Sequence, residues 1–165
     1  MTIAAGHLRE ANNSTALSQN QISRWVALDQ DPNSVEAIKE GFPNTSIQPI
    51  EGSVRGLLAN KYKLGKFDYI YAAGLYDYLA DKVAIKLTQA CLKMLKPNGL
   101  FLFANFAQDI GVDGYMETFM NWPLLLRSES DMRTIIDGSV GDANAKTDVF
   151  FGENRNIVYG TIRVA

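Results

Sequence analysis

The chain has 165 residues, 47% hydrophobic and 21% charged, which suits one medium domain with a buried core and excludes a wholly disordered or coiled-coil chain. Sixteen Lys and Arg against eighteen Asp and Glu leave a net charge of -2, so the basic footprint of a nucleic-acid binder is missing. A single cysteine, Cys91, excludes an intrachain disulfide, and one histidine beside it gives no basis for a His/Cys zinc site. No stretch approaches the roughly 20 apolar residues that cross a bilayer. Charge arrives too early in MTIAAGHLRE for a secretory signal. The expectation is a cytoplasmic protein with no metal and no stable membrane insertion.

Thr2 to Ala5 reads as a short strand that runs into a turn at Gly6. Arg9 to Gln19 is a helix candidate interrupted by the polar run Asn12 to Thr15. Trp25-Val26-Ala27-Leu28 is a buried strand with an acid, Asp29, at its carboxyl end. Asp31-Pro32 starts a helix, because Asp caps free N–H groups and Pro fits the first turn; Gly41 closes it. Ile47 to Ile50 is a strand that Pro49 places at an edge or end. Val54, Leu57 and Leu58 recur at helical spacing, before a Lys-rich turn from Lys61 to Lys66 that reads as solvated.

In the second half, Phe67 to Ala72 is a strand that delivers the chain to Ala73-Gly74. Val83, Leu87, Ala90, Cys91, Met94 and Leu95 mark one face of a helix between Leu79 and Lys96. Pro97-Asn98-Gly99 stops that helix, and Leu100 to Phe106 follows as a strand. A short helix is expected around Tyr115 to Met120, and another, capped near Ser130, carries Met132, Ile135 and Ile136. Thr147 to Phe151 and Asn156 to Val164 are the last strands, joined by the hairpin turn Gly152 to Arg155. Alternating strands and helices with a closing strand pair predict an α/β fold over one domain, 1–165. It is Rossmann-like and doubly wound, a mostly parallel seven-stranded sheet with a C-terminal antiparallel hairpin.

Open parallel sheets bind ligands at the carboxyl ends of their strands. Gly6 ends the first strand and Asp29 ends the second, 23 positions later. A glycine bend followed by an acid at that distance is an arrangement that holds an adenosine, the carboxylate accepting from ribose hydroxyls. A turn glycine with a surface acid explains the same residues without a ligand. Gly-x-Gly-x-x-Gly is absent, which counts against a pyrophosphate and so against a nicotinamide cofactor. Ser53 suits an adenine edge, with Val54 on the ring, and also a cap of the next helix, two compatible roles. Tyr76 and Asp77 fall near a substrate position, and Tyr78 reads as core.

Three segments carry a resemblance. WVALDQDP (25–32), FDYIYAAGLYDYL (67–79) and LKMLKPNGLFLFANF (92–106) resemble the second-, fourth- and fifth-strand segments of class I S-adenosylmethionine-dependent methyltransferases. Gly74-Leu75-Tyr76-Asp77-Tyr78-Leu79 and Tyr115-Met116-Glu117…Trp122 are similar to the bacterial enzymes that make 3-hydroxy fatty acid methyl esters as extracellular signals. The resemblance implies S-adenosylmethionine as cofactor, held by Ala5, Gly6, Arg9, Glu10, Asp29, Gln30, Ser53, Val54, Ala73 and Gly74. It implies a small-molecule acceptor and an apolar pocket with Tyr115, Met116 and Trp122. The residues themselves make His7 a base candidate or a loop and cofactor contact, Asn105 a substrate-facing amide or a loop cap, and Asp77 a third catalytic candidate. His-Leu-Arg at 7–9 departs from the superfamily's second glycine, and Leu126-Arg127 stands where the subfamily has Tyr-Arg. The family also carries chain ahead of the first strand, so this sequence reads as N-terminally short, with a non-catalytic binding module as the alternative and a homodimer as an expected assembly.

Overall fold

The computed structural model describes residues 1–108, 110, 124–142 and 144–165. Contacts cluster into two units, Met1–Lys63 and Leu64–Ala165. The strands run in the order β3-β2-β1 in the first and β4-β5-β7-β6 in the second. This is the Rossmann-like fold expected from the sequence, a mostly parallel seven-stranded mixed sheet that closes in an antiparallel hairpin.

In the first unit, β1 (Thr2–Ile3), β2 (Trp25–Asp29) and β3 (Ile47–Glu51) are parallel. Pro49 lacks a donor, and β3 is the strand at the end of the order, where a missing N–H costs no ladder bond. The polar run at Asn12–Thr15 splits the first helix. Arg9–Asn13 forms a 3-10 turn, and Ser14 then caps α1 (Thr15–Ser18) by accepting from the Leu17 N–H. Asp31 caps α2 (Pro32–Gly41) as expected, accepting from the Asn33 and Ser34 N–H groups. The Ser34 hydroxyl is the main cause that holds Asp31 below the usual carboxylate range. α2 runs through Gly41 to a cap at Phe42. Ala5, Leu8, Ala11, Ala27, Ile38 and Ile47 form the core here.

In the second unit, β4 (Phe67–Ala72) pairs with β5 (Leu95–Phe106), and β6 (Ala145–Phe151) and β7 (Ile157–Val164) form the hairpin. Pro97-Asn98-Gly99 does not precede β5 but bulges within it. Phe67 pairs with Leu95 and Tyr69 with Leu100, so five steps of β5 oppose two of β4. Asn98 takes the left-handed φ of 61° that this excursion needs.

Two expectations for the helices are corrected. The buried face of α4 (Asp81–Lys93) is Ala84, Leu87, Thr88 and Cys91, whereas Val83 is exposed and Leu95 belongs to β5. An apolar count by itself missed Ala84 and Thr88; Thr88 is buried with its hydroxyl 2.7 Å from that of Tyr76. α5 (Glu129–Val140) is capped by Ser128 and not by Ser130: Ser128 Oγ accepts from the Asp131 N–H and Asp131 returns the bond to the Ser128 N–H. Met132, Ile135 and Ile136 are buried as expected. The helix expected around Tyr115 to Met120 lies outside the described residues.

Phe101, Phe103 and Tyr76 stack in the core of this unit, with Tyr76 and Phe103 ring centroids 4.5 Å apart. Gly160 lies opposite Phe103 in the ladder, and a Cβ there would stand 2.5 Å from the Phe103 ring. Gly160→Ala therefore loses about 1–3 kcal/mol by overpacking, read by urea denaturation. Gly152→Ala, where the nearest atom is 3.4 Å away, serves as the unperturbed control.

Candidate functional site

The loop after β1 is the strained part of the first unit. Ala4, Gly6 and Leu8 have φ of 54°, 52° and 50°, so the backbone enters the left-handed region at alternate residues. For Ala4 and Leu8 this costs about 1–2 kcal/mol each. Leu8 is held there by burial, being 1% exposed. Ala5 is tied to β2 through its N–H and Leu28 O at 3.1 Å. At Gly6 an added Cβ would meet nothing within 4 Å, so the glycine serves the φ and leaves its backbone open on one side.

Asp29 turns its carboxylate onto that loop. Its Oδ2 accepts from the Gly6 N–H at 2.7 Å and its Oδ1 from the Asp31 N–H at 2.9 Å. Its carbonyl accepts from the Gly52 N–H at 2.8 Å, which joins the ends of β2 and β3. The side chain is buried, yet each oxygen has accepted only one bond. A carboxylate has about four acceptor positions, so two are free for other donors. The glycine bend and the acid, read separately from the sequence, are thus one hydrogen-bonded unit.

The other residues named on this side are placed as follows. His7, Arg9, Glu10 and Gln30 are exposed, and His7 adds a small electrostatic pull to the lowering of Asp31. Ser53 is half-buried and caps α3 (Val54–Leu58), its hydroxyl accepting from the Gly56 N–H at 3.1 Å. The cap expected of Ser53 is present, with Val54 half-exposed beside it. Tyr62 was not singled out in the sequence, since it sits among lysines. Its hydroxyl accepts from the Ser53 N–H at 3.0 Å, and its ring lies against Gly52 and Gly56. Two glycines followed by a tyrosine were the signal available.

In the second unit, Ala73 and Gly74 are exposed directly after β4, with Gly74 at a φ of 77°. The reading of the tyrosines is reversed. Tyr76 is the buried one, its hydroxyl 2.7 Å from Thr88 Oγ1, and burial pushes that phenol well up; Tyr78 is 53% exposed. The 3-10 turn Tyr76–Tyr78 points its first side chain into the core and its third outward.

Arg127 organises the ends of β4 and β5. Its guanidinium donates to Tyr76 O, Leu79 O, Asn105 Oδ1 and Asp81 Oδ1, with the side chain 4% exposed. Asn105 donates through Nδ2 to Leu125 O at 2.7 Å and to Phe106 O at 2.9 Å. Asp77 accepts from the Phe106 N–H at 2.6 Å. The structure thus brings Asp77 and Asn105 together around one arginine, each occupied in holding backbone. Tyr115, Met116 and Trp122 lie outside the described residues. Among the described residues no His, Cys, Asp and Glu group could hold a metal, and no helix is long and apolar enough to cross a membrane.

No protein-family model matches the chain. An uncharacterised protein of Rickettsia prowazekii is 27% identical over 78 residues, which are 47% of this chain and 31% of that protein. A possible exported protein of Bordetella parapertussis shares the fold with a TM-score of 0.75 at 14% identity, over 99% of this chain and 60% of its own. A SAM-dependent methyltransferase of Leishmania major does so with a TM-score of 0.70 at 16% identity, over 98% of this chain and 62% of its own. The chain therefore spans about three-fifths of these two structures and under a third of the Rickettsia protein. At these identities the likeness is one of fold.

Asp77 carries a pH signature. Burial raises its carboxyl above the usual 3.8, against the opposing pull of the Phe106 N–H bond and the Arg127 charge. A raised acid binds its proton more tightly in the folded state, so the stabilisation is complete below 3.8 and lost as pH rises through the folded value. Asp77→Asn keeps an acceptor for Phe106 and cannot titrate. The stability of wild type relative to this variant is expected to fall as pH rises above 3.8, measured by denaturation across pH.

Proposed function

We propose that this chain is the S-adenosylmethionine-binding domain of a methyltransferase acting on a small-molecule acceptor. The observation that carries the proposal is the Asp29 carboxylate bonded to the Gly6 N–H with two acceptor positions to spare. The fold shared with the Leishmania major methyltransferase supports it. The donor set fits the group: a carboxylate for paired ribose hydroxyls, an open glycine backbone for the methionine part, and Val54 for an apolar ring face. Arg9 and Glu10, both exposed on the 3-10 turn after the loop, suit a carboxylate and an ammonium respectively.

The bound sulfonium would supply the activation, so the chain's own work is placement. Asp29 fixes the nucleoside end. Asn105 and Asp77 spend their polar groups on the backbone of Phe106 and Leu125, which gives them a positioning role. His7 remains the exposed candidate base. An acceptor that needs no base, a carboxylate such as that of a hydroxy fatty acid, agrees best with this inventory.

A second reading is a binding module that does not turn over by itself. His-Leu-Arg at 7–9, where the methyltransferases that the sequence resembles have a second glycine, favours it. Both readings require donor binding. Calorimetric titration with S-adenosylmethionine is expected to show saturable binding, weakened about tenfold or more in Asp29→Asn. Thermal melting of the variant checks that it is folded. Absence of binding to folded wild type overturns both readings. Methyl ester formation from a 3-hydroxy fatty acid separates the enzyme from the module.

A further inference from the structure

β6 (Ala145–Phe151) ends the strand order of the second unit, with β7 on one side and no strand on the other among the described residues. The Gly152 N–H donates to Ile157 O at 2.9 Å, and the Ala165 N–H donates to Asn144 O at 3.3 Å. These bonds bracket an unbroken antiparallel register, in which hydrogen-bonded and non-hydrogen-bonded pairs alternate. Lys146, Asp148 and Phe150 therefore spend their backbone groups on β7, and those of Ala145, Thr147, Val149 and Phe151 point to the open side. We propose that this edge is the interface for a second copy of the chain, the two β6 strands pairing antiparallel about a two-fold axis at Thr147. This gives the homodimer expected from the sequence a place in the fold, and it does not depend on methyl-donor binding.

The strand is suited to accept a partner. Its sequence, AKTDVFF, has no proline or glycine, its register has no bulge, and Thr, Val and Phe fit a pleated surface. Its edge carries two charges, Lys146 and Asp148, both exposed and neither in a salt bridge among the described residues. Asp148 Oδ1 accepts from the outward Val149 N–H at 2.9 Å, a local bond that stands in for a strand's carbonyl.

The order of the two charges selects the partner. Lys146 and Asp148 are two positions apart and share a face. With the axis at Thr147, Lys146 of each copy lies opposite Asp148 of the other, in a non-hydrogen-bonded pair with Cα atoms about 4.5 Å apart. Moving the axis by one residue sets Lys146 against Lys146 or Asp148 against Asp148. Edge charges discourage pairing with arbitrary strands, and these admit one that matches them, the same strand turned round. On pairing, Asp148 exchanges the Val149 N–H for the facing ammonium. That N–H then donates to Ala145 O of the second copy, while the two Thr147 residues exchange both of their bonds.

Sedimentation equilibrium of the whole chain is expected to show a monomer and a dimer in concentration-dependent exchange. Lys146→Asp and Asp148→Lys each place two like-charge pairs across the axis, and each is expected to weaken the dimer about tenfold or more. An equimolar mixture of the two variants restores opposite charges at both pairs and is expected to recover association. Thr147→Pro removes an outward donor that β7 does not use, so the variant is expected to fold, as thermal melting checks, and to stay monomeric. Wild type that stays monomeric up to millimolar concentration leaves the edge to some other partner and overturns the proposal. So do single variants that associate like wild type, a mixture that does not recover, or a dimer of Thr147→Pro.

Discussion

The bond between the Asp29 carboxylate and the Gly6 N–H is the constraint on which the first unit's site depends. A loop that enters the left-handed region three times in five residues would relax if nothing held it. The strain at Ala4 and Leu8 is about 2–4 kcal/mol together. Against it stand one charge-assisted bond at Gly6, worth about 1.5–3 kcal/mol, and the burial of Leu8, worth about 1.5–3 kcal/mol. The opposing terms are close in size, so neither anchor would suffice without the other. That balance explains why the acid must sit at the end of a strand paired with β1: only there can it reach the bend from a rigid base.

Arg127 plays the corresponding part in the second unit by a different physical route. Only one of its partners, Asp81, carries charge, and that side chain is 61% exposed. The others are two backbone carbonyls and an amide oxygen. Such an arrangement gains little from Coulomb attraction in water but adds hydrogen bonds to buried acceptors, among them Tyr76 O, which also accepts from the Leu79 N–H. Three stretches of chain, 76–79, 105–106 and 125–127, are fixed to one planar group. Lysine has no planar fork to reach them all.

Much of this was legible in the sequence, because it lies in local signals. Asp31-Pro32, the apolar run at Trp25–Leu28 and the turn at Gly152–Arg155 each determine structure from adjacent residues. The 23-residue spacing of Gly6 and Asp29 was legible too, since β1 and β2 are neighbours in a parallel sheet. What escaped depends on contacts distant along the chain. Arg127 acts through carbonyls up to 51 positions away, and a carbonyl has no sequence signature. Tyr76 and Tyr78 are alike in composition, and only the geometry of a 3-10 turn decides which one points inward. The buried face of α4 was misassigned for a related reason: Thr88 is polar, and its burial goes with a bond to the Tyr76 hydroxyl 12 positions away.

The two units spend their polar capacity differently, and the difference bears on function. At the end of β2, Asp29 has used one acceptor position on each oxygen and retains the rest. At the end of β5, both Asn105 donors are committed, as are four of the five on Arg127. A group with spare valence can grip a ligand without giving up a bond that the fold needs. A group whose donors are spent holds its neighbours in place, since recruiting it would break the bonds that tie 76–79, 105–106 and 125–127 together.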